Sequence, residues 1–320
     1  MRIKKLKIFS LLNTFFYLFL CLFLFAFVNV VNAETENKND IKSDNKPENK
    51  TIKINVHVSY SLSEVVKEAA ENFKQIYLKD NAKNDKKIDF EFNFFVNSNS
   101  MLLSKIAKDN QNFDLLFCDS QKISQIAIQK NLIHQNFAFL SDSVWVVVSK
   151  NLAKIPHSIN ELQDFHIHKI LISQAEDDKI FKYIKNLFQQ QENYKTWSVL
   201  QDQQNKIFYT TSSIQNLELL SNNQADASFA LLSEATQFID KDKLQIAFEI
   251  DLGNYVINYF SAVNVNKDYQ KDDNTKQQYE IMQSFLDYLQ NPDNKNYESF
   301  AKIYKKYGYQ EAKQEILQVQ

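Results

Sequence analysis

A chain of 320 residues that is 44% hydrophobic and 24% charged holds enough apolar material for one or two compact cores, and too little for a continuous membrane-embedded fold. Its formal charge is -2 with both signs interleaved, which excludes the basic surface that nucleic-acid binding requires. With only 2 glycines, Gly253 and Gly308, the chain cannot write a phosphate-cradling loop, a dinucleotide fingerprint or a nucleophile elbow, so kinases, dinucleotide-binding dehydrogenases and serine hydrolases of the usual pattern are excluded.

Arg2, Lys4, Lys5 and Lys7 precede an apolar run from Ile8 to Val31, and Val31-Asn32-Ala33 supplies a small-residue cleavage pattern. This combination predicts an export signal over residues 1–33. The apolar run is long enough to cross a bilayer, so an uncleaved anchor is the competing reading. Cys21 lacks the preceding small residue of a lipid-modified cysteine. Residues 34–50 are polar and aperiodic, as in a disordered spacer. Without the signal, Cys118 is the sole cysteine, expected to be a buried, inert thiol.

From Thr51 onward strands and helices alternate. The patterning predicts a strand over Ile52 to Val58, a helix over Leu62 to Tyr77, a strand over Ile88 to Val96 and a helix over Met101 to Lys108. Phe113 to Cys118 reads as extended, Ile123 to Gln129 as helical and Ser143 to Ser149 as a long extended run. A second block of the same kind has strands at Lys169 to Ser173 and Ile207 to Thr211, with helices at Ile180 to Gln190 and Ile214 to Ser221. Extended segments at Ala225 to Leu231 and Tyr255 to Val265 follow, then helices at Gln277 to Leu289 and Tyr297 to Tyr307. Such alternation implies α/β layers with a mostly parallel sheet in each block.

Three strand-to-helix junctions place hydroxyl or amide side chains where a helix begins. They are Ser59-Tyr60-Ser61-Leu62-Ser63-Glu64, where Ser61 and Glu64 have capping-box spacing, Asn97-Ser98-Asn99-Ser100, and Thr210-Thr211-Ser212-Ser213. Converging helix starts expose N–H groups and positive dipole ends, which together with hydroxyls suit an oxyanion. The same residues are also the ordinary caps of any helix. His166 and His168 lack a third metal ligand, while His57, His134 and His157 are isolated. Glu176-Asp177-Asp178 lacks the glycine and terminal glutamate of a calcium loop. Trp145 is expected to pack on its strand near a crossover, and no residue pair supports acid–base chemistry by Glu64 or Asp119.

From Ile52 to Tyr309 the order of segments resembles the periplasmic molybdate-binding proteins of ABC importers. Val56-His57-Val58-Ser59-Tyr60-Ser61-Leu62 is similar to that family's first strand and junction. Phe92-Asn93-Phe94 with Ser98-Asn99-Ser100 and Asp114-Leu115-Leu116-Phe117 are similar to its second junction and next strand. Phe285-Leu286-Asp287-Tyr288-Leu289, Pro292 and Tyr307-Gly308-Tyr309 resemble its closing helices.

The resemblance implies a two-lobed type II periplasmic binding fold, each lobe a mostly parallel sheet flanked by helices. Lobe 1 would comprise residues 51–140 plus 262–320 and lobe 2 residues 141–261, with crossing strands near Ser141 to Ser149 and Ile257 to Val265. It also implies a periplasmic, monomeric, non-enzymatic receptor without cofactor or metal, which hands a tetrahedral oxyanion, molybdate or tungstate, to a membrane permease. The implied ligand-binding residues are Ser61, Ser98, Asn99, Ser100, Ile180, Ser213 and Leu231. Leu231 stands where the family has a tyrosine, and Lys179-Ile180-Phe181 replaces its Pro-Ala-Gly turn, with Phe181 expected to fill part of the cleft. The alternative is a diverged interaction or sensor protein that no longer binds molybdate.

Overall fold

The computed structural model describes residues 51–82, 88–108, 112–174, 179–189, 191–202, 206–251, 257–291 and 298–312. The expected export signal, the spacer and Glu176-Asp177-Asp178 lie outside the described residues.

Two sheets are built in sequence. The first contains β1 (Ile52–Ser59), β2 (Phe90–Asn97), β3 (Leu115–Cys118), β4 (Phe137–Asp142), β10 (Ile257–Val263) and β11 (Gln310–Glu311), in the order β11-β4-β10-β3-β1-β2. The second contains β5 (Val144–Ser149), β6 (Ile170–Ser173), β7 (Ile207–Thr210), β8 (Ala227–Leu231) and β9 (Leu244–Glu249), in the order β7-β6-β8-β5-β9. Helices α1 (Ser63–Ala82), α2 (Asn99–Ala107) and α3 (Gln121–Gln129) follow β1, β2 and β3. In the second block α4 (Lys179–Gln189) and α5 (Gln191–Asp202) follow β6, while α6 (Ser213–Ser221) and α7 (Leu232–Ile239) follow β7 and β8. Helices α8 (Asp273–Gln290) and α9 (Glu298–Lys306) close the chain.

Both sheets are mixed. The parallel pairs are β1 with β2 and β3, and β6 with β7 and β8, as β-helix-β connections demand. Antiparallel strands β10, β4 and β11 extend the first sheet, and β5 and β9 extend the second. The two-lobed α/β architecture therefore holds, with its parallel character confined to three strands in each sheet.

The apolar positions explain the layers. From Val56 onward every residue of β1 is buried, because the strand is covered on both faces. Val65, Val66, Ala69, Ala70 and Phe73 form the buried stripe of α1 at helical spacing. Phe285 of α8 is fully buried among aromatic rings, 5.2 Å from Phe73, 5.0 Å from Phe92 and 6.0 Å from Phe117 between centroids. In the second block Phe188 stacks on Trp197 at 4.4 Å and meets the Phe229 ring edge-on at 6.0 Å. Cys118 is buried, as expected.

Gly308 follows α9 with φ +78, in the left-handed region that glycine tolerates. Tyr309 OH then donates to Ser61 O at 2.7 Å, tying the end of the chain to the first junction. Among the described residues no helix is long and apolar enough to cross a membrane.

Candidate functional site

The strand orders β2-β1-β3 and β7-β6-β8 each contain a point where successive connections leave in opposite directions, between β1 and β3 and between β6 and β8. In open α/β sheets, ligands settle at the carboxyl ends of the strands at such a switch point. The registers make these two ends face each other. Strand β4 runs with β3, so Asp142 ends on the carboxyl edge of the first sheet, and after Ser143 strand β5 starts opposite Leu231, on the carboxyl edge of the second. The return does the same, because Glu249 pairs with Trp145 and Ile257 with Asp142. Strand β10 pairs within the first sheet along its whole length, so the expected boundary at 261/262 falls inside it.

At the first switch point the backbone leaves β1 through a 3-10 turn, Tyr60–Leu62, before α1 begins. Ser61 and Glu64 therefore form no capping box. The Ser61 hydroxyl donates to Asp119 Oδ2 at 2.7 Å, while Glu64 Oε1 accepts from Lys67 at 3.0 Å. Asp119 follows β3, and its backbone N–H donates to Ser59 Oγ at 3.3 Å. Ser59 Oγ in turn donates to Asn99 Oδ1 at 3.1 Å. Asp119 Oδ1 is buried with no hydrogen-bond partner, and Asp119 makes no ion pair among the described residues. The second junction forms as an ordinary cap, with Ser98 Oγ accepting from Met101 N at 3.3 Å and lying 3.0 Å from Ser100 Oγ.

Ser173, in register with Thr210, ends β6 at the second switch point. Its hydroxyl is buried without a partner. Ser212 caps α6 by accepting from Gln215 N at 3.1 Å, and Ser213 is the buried first residue of that helix. Asn216 is fully buried on the same helix; its Oδ1 accepts from Thr210 Oγ1 at 2.5 Å and its Nδ2 has no acceptor.

Asp142 bridges the two halves at the crossover. Its carboxylate accepts from Tyr259 OH of β10 at 2.9 Å, from Ser143 N at 2.8 Å, and across the divide from Ser233 Oγ at 2.5 Å and Ser233 N at 3.4 Å. Burial pushes the Asp142 carboxyl up from 3.8 to about 6, against the pull of these donors. The Tyr309 phenol is raised by burial and then by the negative charges of Asp142, Glu234 and Asp119, so the crossover is an acidic neighbourhood. Trp145 is half-buried beside it, donating its indole N–H to Ser143 Oγ at 2.7 Å.

The candidate residues thus divide. Ser61 and Asn99 meet around Ser59 and Asp119, with Ser98 and Ser100 on the adjoining turn. Ser213 lies at the start of α6, on the facing edge. Ile180 in the first turn of α4 and Leu231 at the end of β8 bury their side chains in the hydrophobic core, where Phe181 also packs. Ser173 and Asn216 were not among the candidates, and Asp119 was weighed only as an acid or base, not as a ligand contact. The signal that marks them is position at the end of a strand, or one turn into the helix after it, which needs strand order to interpret.

Elsewhere, His166 Nε2 lies 3.0 Å from Lys154 O, and no group of metal-binding residues occurs among the described residues. A cavity of about 440 Å³ lined by Thr51, Lys53, Asn274 and Gln278 lies at the opposite end of β1, roughly 20 Å from the site by strand rise.

Two sheets with facing carboxyl edges and a double crossover define a type II periplasmic binding-protein fold. Residues 54–310 match the bacterial extracellular solute-binding protein family, and the chain belongs to it. By that membership it is an extracellular solute-binding protein.

Among solved structures, the substrate-binding domain described for a molybdenum ABC transporter of Clostridium difficile matches at TM-score 0.61 and 18% identity, over 82% of this chain and 100% of that one. The spermidine/putrescine transporter substrate-binding protein of Streptococcus pneumoniae matches at 0.56 and 11%, over 82% and 83%. The periplasmic molybdate-binding protein of Azotobacter vinelandii matches at 0.50 and 14%, over 81% and 100%. At such identities the likeness is one of fold. No curated protein matches the chain in sequence.

Proposed function

We propose that this protein is an exported receptor that closes two lobes on one small polar solute and delivers it to the permease of an ABC importer. The observation that carries this reading is the pair of facing switch points, each holding a buried polar atom without a partner, Asp119 Oδ1 and Ser173 Oγ. Buried polar groups are nearly always paired, and a site completed by its ligand is one reason for an exception. The lobes would meet at Ser143, where β4 passes into β5. Export through residues 1–33 to the periplasm, and action as a monomer without covalent chemistry, complete the proposal.

Molybdate or tungstate is the solute implied by the sequence resemblance. The caps at Ser98 and Ser212 support an oxyanion, since each helix start carries positive partial charge. Asp119 weighs against it. A negative charge placed about 4 Å from that carboxylate meets about 4 kcal/mol of repulsion at an effective dielectric of ~20, and a dianion meets twice that. The geometry therefore supports the receptor more strongly than it supports a proton-free dianion. Isothermal titration of the purified exported protein with molybdate, tungstate, sulfate and phosphate tests the oxyanion, and heat from none of them removes it. X-ray scattering of the protein with a broad pool of small polar solutes tests the receptor itself, which fails if no solute makes the molecule more compact.

A further inference from the structure

We infer that the solute presents a hydrogen-bond donor with positive charge, an ammonium or guanidinium nitrogen, to the carboxylate of Asp119. This rests on the receptor reading and specifies the chemistry of the same site. An ionised carboxylate is acceptor-only, with room for about four hydrogen bonds over its two oxygens. Here one oxygen takes the Ser61 hydroxyl at 2.7 Å, and the other is buried without a partner.

The neighbours cannot correct this shortage. Ser61 has turned its proton toward Asp119, and Ser59 has given its own to Asn99 Oδ1. Neither hydroxyl proton is left to point at a bound oxyanion. No lysine, arginine or histidine pairs with Asp119 among the described residues. Tyr309, at the crossover, feels the negative charges of Asp142, Glu234 and Asp119. What Asp119 lacks is a donating cation, since Lys105, by the end of β2, gives its ammonium to Asn97 Oδ1 at 2.8 Å.

The mouth fits the same chemistry. Tyr60, next to Ser61, is 78% exposed although aromatic, and Met101 in the first turn of α2 is 54% exposed. A tyrosine face attracts a cation, and a thioether is a soft apolar contact for a methylene chain. An organic ammonium has both parts; molybdate has neither. At the helix starts the hydroxyls of Ser98 and Ser212 already accept one N–H each, from Met101 and Gln215.

Calorimetric titration of the purified exported protein and of Asp119→Asn with putrescine, spermidine, arginine and molybdate tests this. At least one of the three nitrogen solutes is expected to bind the wild type, and Asp119→Asn to weaken that binding at least tenfold while molybdate binding stays absent or improves. Asp119→Glu, which keeps the charge, should recover part of the affinity, and matched melting curves would show that each variant folds. Binding of none of the three nitrogen solutes, or an affinity unchanged in Asp119→Asn, overturns the inference. Tight molybdate binding by the wild type, lost in neither variant, overturns it too while leaving the receptor reading intact. Absence of compaction with every solute removes the receptor reading instead.

Discussion

Asp142 sits where the chain passes from one sheet to the other, and its charge has a measurable cost. Burial raises the carboxyl from 3.8 to about 6, so the native state holds its proton more tightly than the unfolded chain between those values. Stability supplied by this group is therefore present at low pH and lost as pH rises through about 6. At ~1.4 kcal/mol per pH unit the full effect is about 3 kcal/mol. Between pH 7 and pH 4 roughly 2 kcal/mol is recovered, because the unfolded carboxyl is itself partly protonated at the lower pH. His57 works in the opposite sense. Burial, then Lys105 and Lys267, hold it down to about 4, so stability falls as pH drops from 6.5 toward 4. Comparing wild type with Asp142→Asn cancels the histidine, which both proteins share. Urea denaturation at pH 7, 6, 5 and 4 should show the wild type gaining about 2 kcal/mol on the variant as pH falls. A difference that stays flat, or grows toward pH 7, would refute the burial of a charged carboxylate at the crossover.

Other substitutions test the packing. Gly308→Ala should cost at least about 2 kcal/mol in urea midpoint analysis, since φ is positive and a Cβ would run into Thr236 Oγ1 and lie 2.8 Å from Leu232 O. Phe285→Ala should cost about 3–5 kcal/mol by the same assay, because it empties the centre of the aromatic cluster. Ser212→Ala removes the acceptor for Gln215 N and should cost about 1 kcal/mol of stability, read from the melting temperature.

Periodicity carried much of the fold. The β1-to-α3 region and α6 were legible because apolar spacing switches cleanly between strand and helix there. Strand β4 was not, since only Ser143 separates it from β5 and no turn residue announces the change of sheet. Helix α7 begins directly at the end of β8 with Leu231 in the capping position, so it lacks the hydroxyl that marks other helix starts. Helix α5 lies in a polar stretch without clear apolar spacing, and strand β9 is a short run, Leu244–Glu249, that follows the charged turn Asp240-Lys241-Asp242-Lys243. For the site, junction chemistry led to Ser61 and Asn99, but hydrogen-bond direction is a tertiary fact. Only the fold brings Asp119, 58 residues away in sequence, onto the Ser61 hydroxyl.

Lobe closure is most directly read as a distance. Spin labels at Met101→Cys and Ile214→Cys, both exposed in first turns on opposite edges, would report it in a background with Cys118→Ser. Electron–electron resonance should show the separation shorten and sharpen when a saturating solute from the titrations is added. An unchanged distance with a solute that calorimetry shows to be bound would contradict capture between the lobes.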